Sequence, residues 1–534
     1  MKTRLFFAFL FTTISVFSQN NDLQSIVLNN DIAVETIYVK TPKLPAQKAD
    51  KSVPPVVGII DSYRKNITEK ATYIQGSKQL FVYRFIQEQE NLLTFYFDEL
   101  NCGNTGVLYL YTPDLKEIIT LSNINRKPYA VGPIKASEII LQFETDVKST
   151  DFSIQLNEIG LIPSSTEKDT QDTGFGTSEW CEINVNCDQA DQIQQAKKGV
   201  ARILLRKGGS QYWCSGSLVN NTRKNRDPLF LTADHCGQGA SESDLAQWIF
   251  YFNYESESCT NPISEPNSNV ITGSTLLAAS NGSTSTSSDF KLLRLNESIP
   301  DDYNVVFNGW QRANIAPQDA YGIHHPNGDI KKISYAAPNI TSTNYSGSYE
   351  NQSAMYWRLL WEDTPYGHGV TEGGSSGSPL FDKNGLIVGV LSGGTASCSQ
   401  QNNPDYYGKF SYHWNGNANI QKLQPWLDPD NTGAISLASL GDGASIHEDT
   451  SSKIVVYPNP TTDGRFFIDL ENETLENFDL QIISQTGQSI AHEYEIVQNK
   501  VIVKILSKTT GLYIIKISIN GNETVTKIFQ NQSE

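Results

Sequence analysis

The sequence has little positive charge, no repeat or low-complexity tract, and no apolar run long enough for a membrane anchor. Its 534 residues include 41 Lys and Arg against 58 Asp and Glu, a formal net charge of −17 at pH 7. Nucleic-acid phosphates are bound by basic surfaces, so this balance argues against a nucleic-acid partner and favours a well-solvated, exported protein. After residue 17 no segment reaches about 18 uninterrupted apolar residues, and we expect no membrane-spanning helix in the mature chain.

The first residues are typical of a secretory signal peptide, which we predict over residues 1–18. Lys2 and Arg4 precede a largely apolar run over residues 5–17, and Ser18 leads into a polar stretch. The run is too short for a permanent membrane anchor. We therefore expect an exported protein, either secreted or held at the cell surface.

Cysteine is sparse, yet six of the seven cysteines lie in one central segment. In an exported chain such a cluster predicts disulfide bonds, although spacing alone does not choose among the many pairings that six cysteines allow. Cys102 lies outside the cluster and is predicted to be a buried free thiol rather than a reactive one. The clustered residues are Cys181, Cys187, Cys214, Cys236, Cys259 and Cys398.

Composition divides the chain into a central region and two β-rich flanking regions. Short apolar or alternating runs predict an antiparallel, sandwich-like domain over residues 19–175 and a smaller antiparallel domain over residues 453–534. The central region, residues 176–442, has many short runs between Gly, Asn and Ser turns, as an all-β barrel fold would have. Polar stretches at residues 163–177 and 443–452 predict exposed connectors. The predicted strands of the first domain are 79–85, 92–97, 107–111, 139–143 and 152–156.

Three motifs in the central region place a histidine, an aspartate and a serine in that order. They are T-A-D-H-C at 232–236, S-D-F-K-L-L-R-L at 288–295 and G-G-S-S-G-S-P-L at 373–380. Gly374 and Gly377 flank Ser376 and let the backbone turn tightly, so that a hydroxyl and inward-pointing amides are presented together. The pattern predicts a nucleophilic triad in which Ser376 attacks, His235 takes its proton and Asp289 orients the imidazole.

Two neighbouring features have other interpretations. Asp234 is adjacent to His235, but the side chains of adjacent residues diverge, which makes Asp289 the better candidate for orienting the ring. His324 and His325 suggest a metal ion, but no recurring Cys, Asp or Glu pattern accompanies them, so we expect a structural role and no metal.

The surroundings of the motifs resemble a known family. C-S-G-S-L-V-N-N at 214–221, followed by L-T-A-D-H-C at 231–236, resembles the histidine region of trypsin-fold serine proteases. Within that fold the central region is similar to the lysyl endopeptidase family, and the resemblance implies a trypsin-like double β-barrel. The patterns that carry it are W-C-E-I-N-V-N-C at 180–187, I-H-H-P at 323–326, G-V-T-E-G-G-S-S-G-S-P at 369–379 and W-L-D-P-D-N-T-G at 426–433.

This resemblance implies roles for individual residues. The backbone amides of Gly374 and Ser376 would form the oxyanion hole. Ser392, Gly393 and Gly394 would form the strand edge that pairs with an extended substrate. The implied disulfides join Cys181 with Cys398, Cys187 with Cys259, and Cys214 with Cys236.

Asp405 matches the carboxylate at the base of the family's specificity pocket. An otherwise unpaired buried carboxylate is costly, so it would select a long cationic side chain, with lysine as the first choice and arginine or mixed trypsin-like specificity as the alternative. Two positions depart from known patterns. The family has a histidine beside the pocket where this sequence has Ser392. The preference for lysine over arginine is therefore left open. Ser375 stands where pancreatic-type trypsins have an aspartate that captures a freed N-terminal ammonium, so activation cannot depend on that ion pair.

The flanking regions complete the hypothesis. Residues 19–175 stand where such proteases carry a propeptide, and Lys168, eight residues before the implied mature start at Gly176, suggests self-processing. The motifs V-Y-P-N-P-T-T-D-G at 456–464 and G-L-Y-I-I-K-I-S-I-N-G at 511–521 resemble the sorting domain of the type IX secretion system, although a small β-sandwich binding module is the alternative. The sorting reading implies outer-membrane secretion machinery as a partner.

The sequence thus predicts a secreted serine endopeptidase that cleaves after a basic residue through an acyl-enzyme. We expect it to need no cofactor, to act on protein or peptide substrates and to be a monomer. The alternative from another functional class is a catalytically inactive surface adhesin that keeps a protease scaffold.

Overall fold

The structure, a computed structural model, is dominated by β-strands. Strand residues make up 49% and helix residues 9% of the chain, which confirms the predicted all-β class. No helix among the described residues is long and apolar enough to cross a membrane. The described residues are 34–45, 54–70, 72–164, 173–281, 288–336, 340–345, 354–416, 421–441, 454–457, 461, 463–470, 478–484, 488–497, 500–507, 509, 511–519 and 522–530.

Several sequence predictions lie outside the described residues. They are the signal peptide at 1–18, the linker at 443–452 and Lys168 with most of its connector. The chain forms two compact units, Met1–Asp442 and Gly443–Glu534, and their boundary falls beside the predicted linker.

The N-terminal region forms an antiparallel sheet to which one short strand, β1, is added in parallel. Two strands predicted at 79–85 and 92–97 are one 24-residue strand, because the polar residues between them remain extended. Within it Gln87 and Asn91 are buried, and the Asn91 amide donates to the Gln87 side chain at 3.1 Å. The strands are β1 (Glu35–Tyr38), β2 (Gly58–Asn66), β3 (Tyr73–Gln75), β4 (Lys78–Asn101), β5 (Val107–Tyr111), β6 (Ile118–Ser122), β7 (Asn125–Arg126), β8 (Tyr129–Asp146) and β9 (Ser153–Ile162).

The first half of the central region builds a sheet around an apolar core. A hairpin links its two longest strands, and two further strands end beside the candidate site. The strands are β10 (Ile183–Asn184), which joins the second sheet, and β11 (Val200–Lys207), β12 (Ser210–Leu218), β13 (Leu229–Thr232), β14 (Ile249–Phe252), β15 (Asn269–Thr272), β16 (Ser274–Ala279) and β17 (Lys291–Leu295). The helices of this half are α1 (Asp191–Ala196), α2 (Asp234–Gly237) and α3 (Glu242–Leu245).

The second half forms a ten-stranded sheet that includes β10, together with a two-stranded pair. Its strands are β18 (Val306–Phe307), β19 (Trp310–Gln311), β20 (Ala320–His324), β21 (Lys332–Ala336), β22 (Thr341–Thr343), β23 (Tyr356–Leu359), β24 (Pro379–Asp382), β25 (Ile387–Gly394), β26 (Asp405–Lys409), β27 (Ser436–Leu437) and β28 (Leu440–Gly441). The helices are α4 (Phe410–Asn415) and α5 (Gln424–Leu427).

The N-terminal region and the first half share one continuous sheet, since β2 pairs with β12 through Ile59 and Ser210. Strand side chains alternate between faces, and here both faces of β11 are buried. Ile203 and Leu205 pack in the core of the central region, whereas Leu204 packs with residues of the N-terminal region. The N-terminal region therefore covers the second face of β11.

Polar groups on the covered face are paired across the junction. Arg206 forms an ion pair with Glu158 at 2.8 Å, and its guanidinium lies 4.5 Å from the centre of the Tyr96 ring. The Gln211 amide donates to the Tyr96 hydroxyl at 2.9 Å and to Thr94 Oγ1 at 3.2 Å. The junction is therefore a packed interface with specific polar contacts.

The second unit is a small antiparallel domain with its own core. Seven strands build it, in line with the predicted antiparallel domain. They are β29 (Ile454–Tyr457), β30 (Arg465–Leu470), β31 (Phe478–Ser484), β32 (His492–Val497), β33 (Lys500–Ile505), β34 (Gly511–Ile519) and β35 (Asn522–Gln530), arranged in sheets of four and three strands.

Candidate active site

His235 and Asp289 meet because two paired strands end side by side. β13 and β17 are antiparallel with Thr232 opposite Lys291, so the residues just after β13 and just before β17 lie at the same end of the pair. His235 Nδ1 lies 2.7 Å from Asp289 Oδ2, and the His235 backbone N–H donates to Asp289 Oδ1 at 3.0 Å. These two contacts fix both the ring and the backbone of His235 on one carboxylate.

The environment of Asp289 keeps it ionised. Its side chain is 2% exposed, and burial alone would raise its pKa, but the adjacent His235 lowers it by charge and by hydrogen bonds. The Ser392 hydroxyl lowers it further, and the net pKa lies below the ordinary value. An ionised carboxylate at this position can stabilise a positively charged imidazole.

Asp234 has a different partner. Its Oδ1 lies 2.9 Å from Lys291 Nζ, and both side chains are buried. The structure therefore brings His235 to Asp289 and uses Asp234 in a separate buried ion pair.

Ser376 lies on a loop whose glycines cannot be replaced without strain. Gly374 and Gly377 have φ of +90° and +83°. A Cβ on Gly377 would lie 2.1 Å from Thr232 Oγ1 and 2.4 Å from the Ser215 carbonyl oxygen. The loop thus packs against β12 and β13, the strands that precede His235, and Cys236 Sγ lies 3.6 Å from the Ser376 carbonyl oxygen.

The amide directions around Ser376 suit an oxyanion hole. The Asn327 N–H donates to the Gly373 carbonyl, and the Ser378 N–H donates to the Ser375 carbonyl at 3.0 Å. In a trans peptide the carbonyl and the following N–H point in opposite directions. The N–H groups of Gly374 and Ser376 therefore point away from these partners.

Ser215 joins the two halves of the site and was not predicted from the sequence. Its N–H donates to the Ser376 carbonyl at 2.8 Å, and its hydroxyl donates to the Gly374 carbonyl at 2.9 Å. The same hydroxyl accepts from the His325 N–H at 3.0 Å, and the Ser215 carbonyl accepts from Thr232 Oγ1 at 2.8 Å. The signal was only its place next to Cys214 in C-S-G-S-L.

The predicted substrate-binding residues lie on the adjacent strands β25 and β26. Gly394 is opposite Asp405 in the pairing of these strands, and Gly393 has φ of +143°. The Ser392 side chain is buried and faces the Asp289 carboxylate and the Tyr356 hydroxyl. Its hydroxyl therefore belongs to the surroundings of the imidazole's partner, and its backbone continues the strand edge.

Asp405 is buried, but it is not the otherwise unpaired carboxylate that we expected. Its Oδ2 accepts from Trp361 Nε1 and from Thr371 Oγ1, each at 2.7 Å, and its Oδ1 accepts from the Ala396 N–H at 3.3 Å. Neighbouring loops supply donors that the linear motif does not reveal. All three donors are neutral, so they orient the carboxylate without cancelling its charge.

The three disulfides join Cys181 with Cys398, Cys187 with Cys259, and Cys214 with Cys236. These are the pairs that the resemblance implies, and the last one closes the segment that leads to His235. Cys102 is a buried free cysteine in the N-terminal region, and burial raises the pKa of its thiol to about 11. A thiol with so high a pKa is a poor nucleophile at neutral pH.

His413 also supports the site, although no motif marks it. Its Nε2 donates to the Ser288 carbonyl at 2.8 Å, next to Asp289, and its ring lies 4.8 Å from that of Phe290. Burial lowers its pKa to about 4, so the ring is neutral at physiological pH. More than 100 residues separate His413 from Ser288, which is why sequence spacing could not reveal the contact.

Within the residues that the structure describes, no group of three or more His, Cys, Asp or Glu side chains is placed to hold a metal ion. His324 and His325 instead make hydrogen bonds to Ser375, Ser334 and the Asp329 carbonyl.

Comparison with known families identifies two parts of the chain. Residues 175–408 match the lysyl endopeptidase C-terminal domain family, and residues 455–531 match the secretion system C-terminal sorting domain family. The central region is thus similar to a lysyl endopeptidase domain and the C-terminal region to a secretion sorting domain, a tail that marks a secreted or cell-surface protein.

A lysyl endopeptidase of Pseudomonas aeruginosa is 28% identical over 319 residues, which cover 55% of this chain and 64% of that relative's length. Among solved structures, the protease Anisep from Arthrobacter nicotinovorans is 22% identical, covers 40% of this chain and 90% of its own, and has a TM-score of 0.28. The HtrA-type protease AlgW with tripeptide is 13% identical, covers 64% and 96%, and has a TM-score of 0.29.

Proposed function

We propose that the protein is a secreted serine endopeptidase that cleaves protein or peptide chains after a basic residue, with lysine preferred. The observation that carries the proposal is the junction of the two halves of the central region. There His235 is fixed by a buried, ionised Asp289, and the loop that presents Ser376 packs against the residues around His235.

The geometry supports an acyl-enzyme mechanism. Ser376 Oγ attacks the carbonyl carbon of the scissile bond while His235 removes its proton, and Asp289 stabilises the imidazolium. The amides of Gly374 and Ser376 stabilise the oxyanion of the tetrahedral intermediate. His235 then gives its proton to the leaving amine, and a water molecule hydrolyses the ester by the same steps.

The preference for a basic residue rests on Asp405. Its carboxylate lies next to the Gly393 and Gly394 strand edge and accepts hydrogen bonds from the neutral donors Trp361, Thr371 and Ala396. A cationic side chain beside this buried carboxylate would form a charge-assisted pair. Arginine would satisfy the same carboxylate, so mixed specificity is the second candidate.

The first experiment compares matched peptides that end in lysine, arginine, leucine or glutamate, with the processed enzyme and its Ser376→Ala variant. Lysine-selective hydrolysis that the variant lacks supports the whole proposal. Equal cleavage after lysine and arginine would support the proposed mechanism but replace the lysine preference with mixed specificity. Asp405→Asn should lower kcat/KM on lysine peptides about a hundredfold, because losing one partner of a buried charge pair costs a few kcal/mol.

The pairing of His235 with Asp289 beside the Ser376 loop disfavours the alternative of an inactive adhesin. A fluorophosphonate reagent reacts only with an activated serine, so it should label the native chain and leave Ser376→Ala unlabelled. Folded native protein that stays unlabelled would favour the adhesin.

For the N-terminal region we propose a propeptide that is cut by the enzyme itself in the connector near Lys168. N-terminal sequencing of the purified Ser376→Ala protein tests this, since it should keep the region attached. Normal cleavage with no other protease present would contradict self-processing.

For the C-terminal unit we propose recognition by the outer-membrane secretion machinery, with no part in catalysis. Removing residues 453–534 should leave kcat unchanged and stop export, measured by fractionating cells. A small binding module would instead leave export intact. We expect the catalytic unit to be a monomer, which sedimentation can check.

A further inference from the structure

The residue before the nucleophile, Ser375, makes a buried contact that the triad does not use. Ser375 and His324 are both fully buried, and Ser375 Oγ lies 2.8 Å from His324 Nδ1. On the other side of the ring, His324 Nε2 lies 3.2 Å from Ser334 Oγ. His324 is the last residue of β20 and Ser334 lies on β21, so a rigid hairpin presents both groups to the loop of Ser376.

The directions of these hydrogen bonds follow from their outer partners. Ser334 donates its single proton to the Val370 carbonyl at 2.7 Å, so its oxygen accepts from His324 Nε2. Ser375 Oγ accepts from the Glu372 N–H at 3.1 Å, so its own proton is directed to His324 Nδ1. A neutral His324 ring protonated on Nε2 matches the donors and acceptors of both Ser334 and Ser375 in this series of hydrogen bonds.

A buried carboxylate favours the same tautomer. Glu182 Oε2 lies 3.8 Å from His324 Nε2, and both side chains are fully buried. A negative charge on this side of the ring favours keeping the proton on Nε2 and leaves Nδ1 to accept from Ser375.

The network holds both ends of the loop that leads to the nucleophile. Through Ser334 it fixes the carbonyl of Val370, and through Ser375 it fixes the backbone N–H of Glu372 and the residue adjacent to Ser376. The two candidate oxyanion amides, at Gly374 and Ser376, flank Ser375. A shift of Ser375 therefore moves both amides.

We propose that His324, with Ser334 and Ser375, is a positioning group that sets the oxyanion loop of the serine endopeptidase. It works with neutral hydrogen bonds from the β20–β21 hairpin and does not need a freed amino terminus. This inference rests on the proposed function of Ser376 and goes beyond it, because it assigns a role to side chains that touch neither substrate nor nucleophile.

The test uses four variants of the processed enzyme: His324→Leu, His324→Gln, Ser375→Ala and the control Ser274→Ala. Ser274 is also buried and also donates to a backbone carbonyl, that of Leu245 at 3.2 Å, but it lies away from the site. For each variant, active sites are titrated with a fluorophosphonate, and kcat and KM are measured on one lysine ester. Titration separates misfolded protein from slow enzyme.

We expect His324→Leu and Ser375→Ala to lower kcat per titrated site about a hundredfold with KM changed less than about threefold, because a misplaced reacting geometry costs on that order. His324→Gln, which supplies both a donor and an acceptor, should recover much of the loss, and Ser274→Ala should keep the parent kcat. A kcat per site within about twofold of the parent for His324→Leu and Ser375→Ala would overturn the proposal, as would losses confined to KM. A parent enzyme with no titratable site would instead show that the proposed function itself is wrong.

Discussion

The two halves of the central region contribute to the site by different means. The first half supplies His235 and Asp289 and holds them by a side-chain contact of 2.7 Å between a ring and a buried carboxylate. The second half supplies Ser376 and places it by backbone, through glycines with positive φ and carbonyls held by neighbouring amides. Substitutions of His235 or Asp289 should therefore change chemistry without changing the fold, and substitutions of the glycines beside Ser376 should change both.

The halves also differ in what covers them. The first half shares its sheet with the N-terminal region, so Arg206 and Gln211 are buried by residues from outside the central region. The second half closes on its own strands and on the disulfide between Cys181 and Cys398. Loss of the N-terminal region should therefore expose these residues and destabilise the first half.

The largest expected effect tests the side-chain half. Asp289→Asn should lower kcat by about four orders of magnitude with little loss of stability, because an amide no longer stabilises the imidazolium or its required tautomer. Asp234→Asn is the matched control, since it breaks the buried pair with Lys291 and should lower stability while leaving kcat per titrated site near that of the parent. If the two variants exchanged these effects, the assignment of the orienting carboxylate would be wrong.

The next prediction concerns the second half, which places Ser376 through its backbone. Gly377→Ala forces a Cβ against Thr232 and the Ser215 carbonyl at a φ of +83°, so we expect a loss of more than about 3 kcal/mol in the free energy of unfolding. Gly433→Ala, at a φ of +77° with open space around it, should cost only about 1 kcal/mol. Urea unfolding of both variants measures the difference, and equal losses would show that strain alone, not packing against the first half, governs Gly377.

A smaller effect tests the shared sheet. Gln211→Ala removes the amide that donates to Tyr96 and Thr94 across the junction and should cost about 1–3 kcal/mol, because buried polar groups are left without their partner. Lys207→Ala on the neighbouring strand is exposed and should stay within about 0.5 kcal/mol of the parent. After the connector has been cut, the Gln211 penalty should disappear from the central region if the N-terminal region has left.

The last effect is confined to acidic pH and concerns His413. Its pKa in the folded protein, about 4, lies below the ordinary value of 6.5, so between these values the unfolded chain binds the proton and the folded one does not. The protein should lose up to about 3 kcal/mol of stability as pH falls from 6.5 to 4, with no contribution above 6.5. His413→Gln should show a shallower slope in urea midpoints over this range, and an unchanged slope would assign the pH dependence to other groups.

Local patterns account for what could be predicted. Alternation gave β5 with its bounds at Val107–Tyr111, and two of the motifs contain His235 and Asp289, which lie 2.7 Å apart. Such features can be read locally because strand periodicity and glycine at positive φ leave a signature within a few residues.

The missing parts depend on contacts between distant residues. The pairing of β2 with β12 joins positions about 150 residues apart, and nothing local marks β11 as covered on both faces. The donors that hold Asp405 and the ring of His413 come from loops and helices far along the chain. The apolar runs of the N-terminal region predicted a sandwich-like domain, and they do not reveal that its sheet continues into the central region.

Ser215 spends its backbone N–H, its carbonyl and its hydroxyl on four partners that lie in both halves of the site. Sliding of one half past the other would break the three contacts to Ser376, Gly374 and His325 together. The two halves should therefore open only together. The Ser215 amide should exchange with deuterium only when the whole unit unfolds, as slowly as the most protected amides of the core.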